Sequence, residues 1–141
     1  MSLEALFPAL IRTTYQETSP RDKGYNCIAY AAGVADAFWE PDPMEISYWP
    51  EGIPRQNTLR VWVRVFESLG YAVCSDGSLE PGCEKVAIYV LEGEPQHVAR
   101  QFPNGCWRSK IGVLEDIEHD LQGLVGSRYG SVAQFMRRRL L

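Results

Sequence analysis

Apolar side chains recur along this chain at two different spacings, and each spacing predicts a type of secondary structure. Between residues 57 and 70 they recur every three or four positions, which is typical of one face of an α-helix: Leu59, Trp62, Val63, Phe66 and Leu69. We expect Asn57 or Thr58 to cap this helix and Gly70 to end it. Residues 86–91 form an unbroken apolar run, which predicts a central strand buried on both faces.

Strand and turn signals surround that run. Residues 71–74 predict a short strand, and residues 97–101 and 106–111 predict two strands joined by a hairpin at 103–105. If Gly105 adopts the left-handed conformation, the hairpin loop has three residues and paired positions sum to 208. A two-residue loop at the same Asn-Gly would shift the register by one and move alternate side chains to the other face.

The flanking segments are expected to be mostly helical. Residues 2–12 predict a short helix interrupted by a proline, residues 13–24 and 44–56 predict loops, and residues 114–141 predict helix broken at three glycines. A further helix is expected from Cys27 to about Phe38, where two prolines follow. This order of elements, with helices before and after an antiparallel meander, predicts a single α+β domain over residues 1–141.

Composition narrows the function classes. The 141 residues are 45% hydrophobic and 23% charged, with a net charge of −4, as in an ordinary soluble domain. Because an acidic chain repels phosphate, no nucleic-acid partner is expected, and the basic run 137–139 is interpreted as the end of a helix. No stretch approaches the ~20 apolar residues of a membrane span, so no membrane partner is expected.

The N-terminus and the cysteines bear on location. The first eight residues lack the basic region and apolar core of a signal peptide, which favours the cytoplasm, with a phage or specialised secretion route left open. The four cysteines form no CxxC pair, so no structural zinc and no cofactor are expected. Free thiols are the default in a reducing compartment.

Cys27 and His97 are the candidate catalytic residues. A thiol at a helix N-terminus gains stabilisation of its thiolate, and an imidazole can take its proton and return it to a leaving group. A small buried thiol is the alternative interpretation of Cys27. His119, the other histidine, lies in an acidic segment and is expected to cap it or to bond the loop that begins at Ser109.

Further residues would complete such a site. With a register sum of 208, Ser109 shares the face of His97 and is the candidate that orients its ring. The backbone N–H of Cys27 would stabilise an oxyanion together with Asn26 or Tyr25. Two aromatic loop residues are candidates for lining a cleft that holds the substrate: Tyr48 and Trp49.

The order of cysteine helix, histidine strand and polar residue on the next strand resembles the papain-like cysteine hydrolase superfamily. The segments 26–30, 97–99 and 107–119 are similar to its compact bacterial members, the cysteine/histidine-dependent amidohydrolases and peptidases. The resemblance implies a papain-like α+β fold, with a nucleophile helix packed on a small antiparallel sheet. The papain-type Cys-Gly-Ser-Cys-Trp signature is absent, and Arg21 stands where its upstream glutamine would be.

Three functions therefore stand as predictions. The first is a thiol hydrolase or acyltransferase that acts on a peptide, another amide or a thioester through a Cys27 acyl-enzyme, with His97 as general acid and base. The second is a non-catalytic module that binds a protein partner, for which an exposed apolar groove near residues 48–49 above a sealed Cys27 would be the evidence. The third is a metal site formed by Cys27, His97 and one more cysteine: Cys74, Cys83 or Cys106.

Overall fold

A seven-stranded antiparallel sheet dominates the computed structural model, which describes residues 2–140. The strands are β1 Gln16–Ser19, β2 Ala72–Cys74, β3 Cys83–Leu91, β4 Glu94–Gln101, β5 Trp107–Lys110, β6 Asp116–His119 and β7 Ser131–Arg139. Their order across the sheet is β1-β6-β5-β4-β3-β7-β2. The helices within the described residues are α1 Leu3–Leu6, α2 Cys27–Ala31 and α3 Leu59–Ser68, with 3₁₀ turns at Pro8–Arg12 and Leu121–Leu124.

Helical segments cover both faces of the sheet. On one face α2 and α3 pack over an apolar core that includes Val86, Ile88, Val98 and Met136. On the other face α1 and the two 3₁₀ turns enclose a second core, whose members include Ala87, Tyr89, Ala99 and Ile117. The strict alternation of the two sets along β3 and β4 is the expected result of a pleated strand that is buried on both faces.

β4 carries the one irregularity that matters for the candidate site. Tyr89 of β3 pairs with His97, but the next residue, Val90, pairs with Pro95. Gln96 is therefore an extra residue in β4, a bulge of the kind that redirects neighbouring side chains. Beyond it the pairing is regular again, from His97 to Arg100.

The predicted papain-like α+β fold is wrong, because the protein is β-rich and only 20% helical. The largest error is in residues 114–141, which form β6, a 3₁₀ turn and β7 instead of helices. The Ala, Gln, Met and Arg residues of 131–139 favour helix in isolation, but pairing along the full length of β3 overrides that preference. The arginine run lies on this strand, where Arg137 pairs with Glu80 and Arg138 with Glu84.

Other predictions are confirmed. Thr58 caps α3 by accepting a hydrogen bond from the Val61 N–H at 3.2 Å, and the apolar run lies in β3, an interior strand flanked by β4 and β7. Gly105 has φ of 87°, and β4 pairs with β5 in the register that sums to 208. α2 begins at Cys27 as expected but ends at Ala31, before Gly33 in the left-handed region (φ 87°). β1 lies in the predicted loop 13–24.

Candidate functional site

Cys27 is the first residue of α2 and lies at the edge of an open cavity of about 370 Å³. The cavity is lined by carboxylates and amides as well as the thiol: Glu40, Asp42, Asn26, Asn57 and Gln96. The sulfur receives hydrogen bonds from the backbone N–H groups of Val98 and Ile28. Burial nevertheless raises the pKa of the thiol to about 11, and the negative charge of Glu40 acts in the same direction. At neutral pH the group is a thiol, not a thiolate.

His97 is fully buried on the other face of the sheet. Its side chain shares a face with Ala99 and stacks on Tyr129 at 4.2 Å between ring centroids, whereas α2 and Cys27 pack on the face of Val98. Among the described residues, neither ring nitrogen has a hydrogen-bond partner. Burial lowers the pKa of His97 well below its ordinary value, so the ring is neutral. The structure therefore brings the cysteine helix to the histidine strand without joining the two side chains by a hydrogen bond.

Ser109 is bonded to His119 and not to His97. The Ser109 hydroxyl lies 2.7 Å from His119 Nε2, and His119 Nδ1 lies 2.7 Å from the backbone oxygen of Asp120. Since a carbonyl only accepts, Nδ1 donates to it and Nε2 accepts the serine proton. Burial lowers the pKa of His119 to about 4. The sequence-based expectation that His119 bonds the loop at Ser109 is confirmed.

Asn26 and Tyr25 have structural partners. The Asn26 side chain accepts hydrogen bonds from the N–H groups of Ala29 and Trp39 and donates to the Trp39 carbonyl at 2.9 Å. It therefore caps α2 and fastens residue 39 to it. The Tyr25 hydroxyl donates to Asp116 at 2.6 Å, and both residues are buried.

The loop formed by residues 40–48, here called the 40–48 loop, borders the Cys27 cavity. Its anchor is Asp42, whose carboxylate accepts from the N–H groups of Ile46 at 2.7 Å and Ser47 at 3.1 Å and pairs with Arg55 at 3.2 Å. At the ends of the loop, Trp39 and Tyr48 are bridged through their backbones, and their rings lie 4.8 Å apart. These contacts give the loop one defined conformation.

Three apolar side chains project from this loop into solvent. Met44 is 79% exposed, Ile46 86% and Tyr48 51%, whereas Trp49 is buried and donates to the Pro54 carbonyl. Neither Tyr48 nor Trp49 lines the Cys27 cavity. Sequence reasoning missed Met44, Ile46 and Glu40. The signal for them in the sequence was the alternation of apolar and charged residues in a loop bounded by prolines. No helix or strand periodicity there explains the apolar residues.

The described part of the chain contains neither a cluster of metal ligands nor a membrane-spanning helix. Within residues 2–140, no three His, Cys, Asp or Glu side chains are grouped so that they could hold a metal ion. The three-ligand site suggested for Cys27, His97 and a further cysteine therefore has no counterpart there. No helix in the same range is both long enough and apolar enough to cross a bilayer.

Comparisons with known proteins identify a family without a function. No curated protein and no solved structure matches the chain. Residues 16–137 match the family described as Domain of unknown function (DUF7689), and this match includes β1 to β6, most of β7, α2, α3 and the 40–48 loop. The chain belongs to the DUF7689 family.

Proposed function

We propose that this chain is a polypeptide-binding module whose docking surface consists of Met44, Ile46 and Tyr48. The observation that carries the proposal is the exposure of these three side chains on a loop held in one conformation. The three residues stand at alternate positions of one short loop, and apolar groups exposed close together at the surface mark interaction sites in soluble proteins.

The rigidity of the loop favours binding. A loop that is ordered before it meets its partner loses little conformational entropy on association. Asp42 and Arg55 provide that order, and Arg55 also donates to the backbone oxygens of Asp42 and Ser47. Methionine and tyrosine suit such a surface, because a thioether adapts to irregular contacts and a phenol ring offers a large area with a polar end.

The chemistry at Cys27 also favours binding over catalysis. The thiol has a pKa of about 11, and no base is hydrogen-bonded to it within the described residues. Ser109, which would orient the base, is engaged by His119. Exposed apolar side chains on a loop that borders the cavity of a protonated cysteine are an arrangement expected of a module without catalytic activity.

Peptide selection tests the docking surface. A random 12-residue phage library is selected on the wild-type protein, and the enriched peptides are then measured by fluorescence anisotropy. We expect Met44→Ser/Ile46→Ser to weaken their binding at least tenfold, because two apolar contacts are lost. The matched control is Ile11→Ser/Leu79→Ser, which removes two exposed apolar side chains elsewhere (68% and 50% exposed) and leaves binding unchanged. Equal binding by all three proteins would contradict the proposal.

A second candidate, the thiol hydrolase or acyltransferase of the papain-like type, is favoured by one observation. His97, with two unpartnered ring nitrogens, immediately precedes Val98, whose N–H bonds the Cys27 sulfur. Buried polar groups without partners are rare and often have a role in catalysis. This reaction requires the His97 ring to come within hydrogen-bond distance of the Cys27 sulfur, which it does not do in this structure. Cys27 sulfur then bonds to an amide or thioester carbonyl while His97 takes the thiol proton. The imidazolium then protonates the leaving amine or thiol, and water or an acceptor amine releases the acyl group.

The alkylation rate of Cys27 separates the two candidates, with the exposed Cys106 as an internal reference. A thiol that titrates alone with a pKa of about 11 reacts tenfold faster per pH unit from pH 7 to 10, in wild type and in His97→Gln alike. A Cys27–His97 pair gives a rate that levels off near neutral pH and falls at least tenfold in His97→Gln, while Cys106 is unaffected. The first result eliminates the hydrolase, and the second eliminates the module without catalytic activity.

A further inference from the structure

We infer that the docked partner is a basic polypeptide segment, and that one of its lysine or arginine side chains enters the Cys27 cavity beside Glu40. The inference rests on the proposed function, since it specifies the chemistry of the partner that the 40–48 loop receives.

The distribution of charge is the first argument. Of the 18 acidic and 14 basic residues of the chain, five acidic and one basic lie between residues 36 and 55, which leaves thirteen of each elsewhere. The net charge of −4 therefore belongs to the segment that contains the docking surface. Glu40, Glu45 and Glu51 are exposed there. A field of one sign at an interface steers and selects a partner of the opposite sign.

The cavity supplies the second argument. Asp42 is already paired with Arg55, but the Glu40 carboxylate has no ion-pair partner among residues 2–140. The described lining contains no lysine or arginine, and the amides of Asn57 and Gln96 add hydrogen-bonding groups. Glu40 acts on the cavity itself, because its charge contributes to the raised pKa of Cys27. A cation there gains from this carboxylate, and the positive charge of Arg55, which donates to the Glu40 backbone oxygen nearby, is already balanced by Asp42.

The apolar and acidic groups belong to the same short loop. Residues 40–42 line the cavity, while Met44 and Ile46 project from the same loop two to four residues further on. One short segment of partner can therefore place apolar side chains on Met44 and Ile46 and a cationic side chain in the cavity. An acidic or purely apolar segment could contact Met44 and Ile46 but would place no cation in the cavity.

Two synthetic peptides test the inference: a fluorescein-labelled 12-residue peptide that alternates leucine and lysine, and its leucine-glutamate counterpart. In anisotropy titrations of the full chain, we expect the lysine peptide to bind and the glutamate peptide to bind at least tenfold more weakly. Affinity for the lysine peptide falls as salt rises from 50 to 300 mM, because exposed charges are screened. Glu40→Gln/Glu45→Gln weakens it at least fivefold, whereas the matched pair Glu17→Gln/Glu67→Gln, exposed on other surfaces, does not.

Entry into the cavity has its own readout. The bound lysine peptide is expected to slow alkylation of Cys27 at least fivefold and to leave Cys106 unchanged. Unprotected Cys27 in the saturated complex overturns the inference, as do equal affinities for the two peptides or no effect of Glu40→Gln/Glu45→Gln.

Failure of the inference differs from failure of the proposed function. If Met44→Ser/Ile46→Ser abolishes binding of library-selected peptides while charge has no effect, the docking surface stands and the basic partner is wrong. If that double variant has no effect on any peptide, both are wrong. Self-association of the wild-type chain that Met44→Ser/Ile46→Ser abolishes identifies a second copy as the occupant and also overturns the inference.

Discussion

Replacement of Asn26 by alanine is the most informative test of how the site is built. One side chain supplies the cap of α2 and both hydrogen bonds to the backbone of Trp39, at 2.9 and 3.1 Å. Loss of an N-cap costs about 1 kcal/mol. Each buried backbone group left without a partner costs about 1–3 kcal/mol, and water from the adjoining cavity recovers part of this. We therefore expect Asn26→Ala to lower the free energy of unfolding by about 3 kcal/mol.

Urea denaturation followed by circular dichroism measures this change. A loss of about 3 kcal/mol corresponds to about 10 °C in Tm for a chain of this length. Asn26→Asp is the matched variant: it keeps both acceptor roles and loses the single donation to the Trp39 carbonyl, so its cost is intermediate. Asn26→Ala also weakens peptide binding, since the 40–48 loop is joined to α2 through residue 39. A cost below about 1 kcal/mol, the value of a cap alone, would refute this reasoning.

Three further predictions concern stability. Burial lowers the pKa of both His97 and His119, so on acidification the unfolded chain binds protons that the folded chain does not. The free energy of unfolding is therefore at its full value above pH 6.5. Below that pH it falls by up to about 1.4 kcal/mol per pH unit for each ring. Urea unfolding at pH 7.5, 6.5 and 5.5 measures the slope, and His119→Asn reduces it; an unchanged slope contradicts the assignment. Gly130→Ala places a methyl group 1.9 Å from a backbone oxygen of β3, and we expect it to abolish soluble expression. Gly52→Ala is the control: Gly52 has φ of 81° and no atom near its added methyl group, so the change costs only about 1–2 kcal/mol of stability. Similar yields and Tm values for the two variants would disprove the close contact between Gly130 and β3. Glu84→Gln weakens the pairing with two arginines and costs about 2 kcal/mol by urea denaturation, and a neutral result would mean that solvent already satisfies those arginines.

Local features of the fold were predictable where short-range chemistry decides them. The cap and periodicity of α3 and the left-handed Gly105 are properties of a few consecutive residues, and both match the structure. Residues 131–139 were not predictable in this way. Their conformation depends on pairing with β3, which begins 48 residues earlier (131 − 83), and the local sequence carries no signal of that pairing.

In the candidate site, too, some features follow from local sequence and others depend on how distant segments pack. The placement of Cys27 at a capped helix start follows from local sequence, and the β4–β5 register puts Ser109 on the face predicted for it. Its bond to His119 depends on β6, a strand in a segment that was predicted to be helical. The placement of His97 and Cys27 on opposite faces depends on which face of the sheet α2 covers, and strand periodicity alone does not fix that. The sequence pattern of the 40–48 loop is compatible with the exposure of Met44 and Ile46, but the exposure itself depends on how Asp42 folds the loop back on itself.

The position of β7 bears on how this chain acquires its structure. β7 pairs with β3 on one side and with β2 on the other, so β2 joins the sheet through a strand that is made after all the others. On a ribosome the hairpin of β3 and β4 emerges with the longest strand edge still open. That edge stays available to other nascent chains until residues 131–139 arrive. Yield of this protein should therefore respond to chaperones that act late in synthesis more than to those that act early.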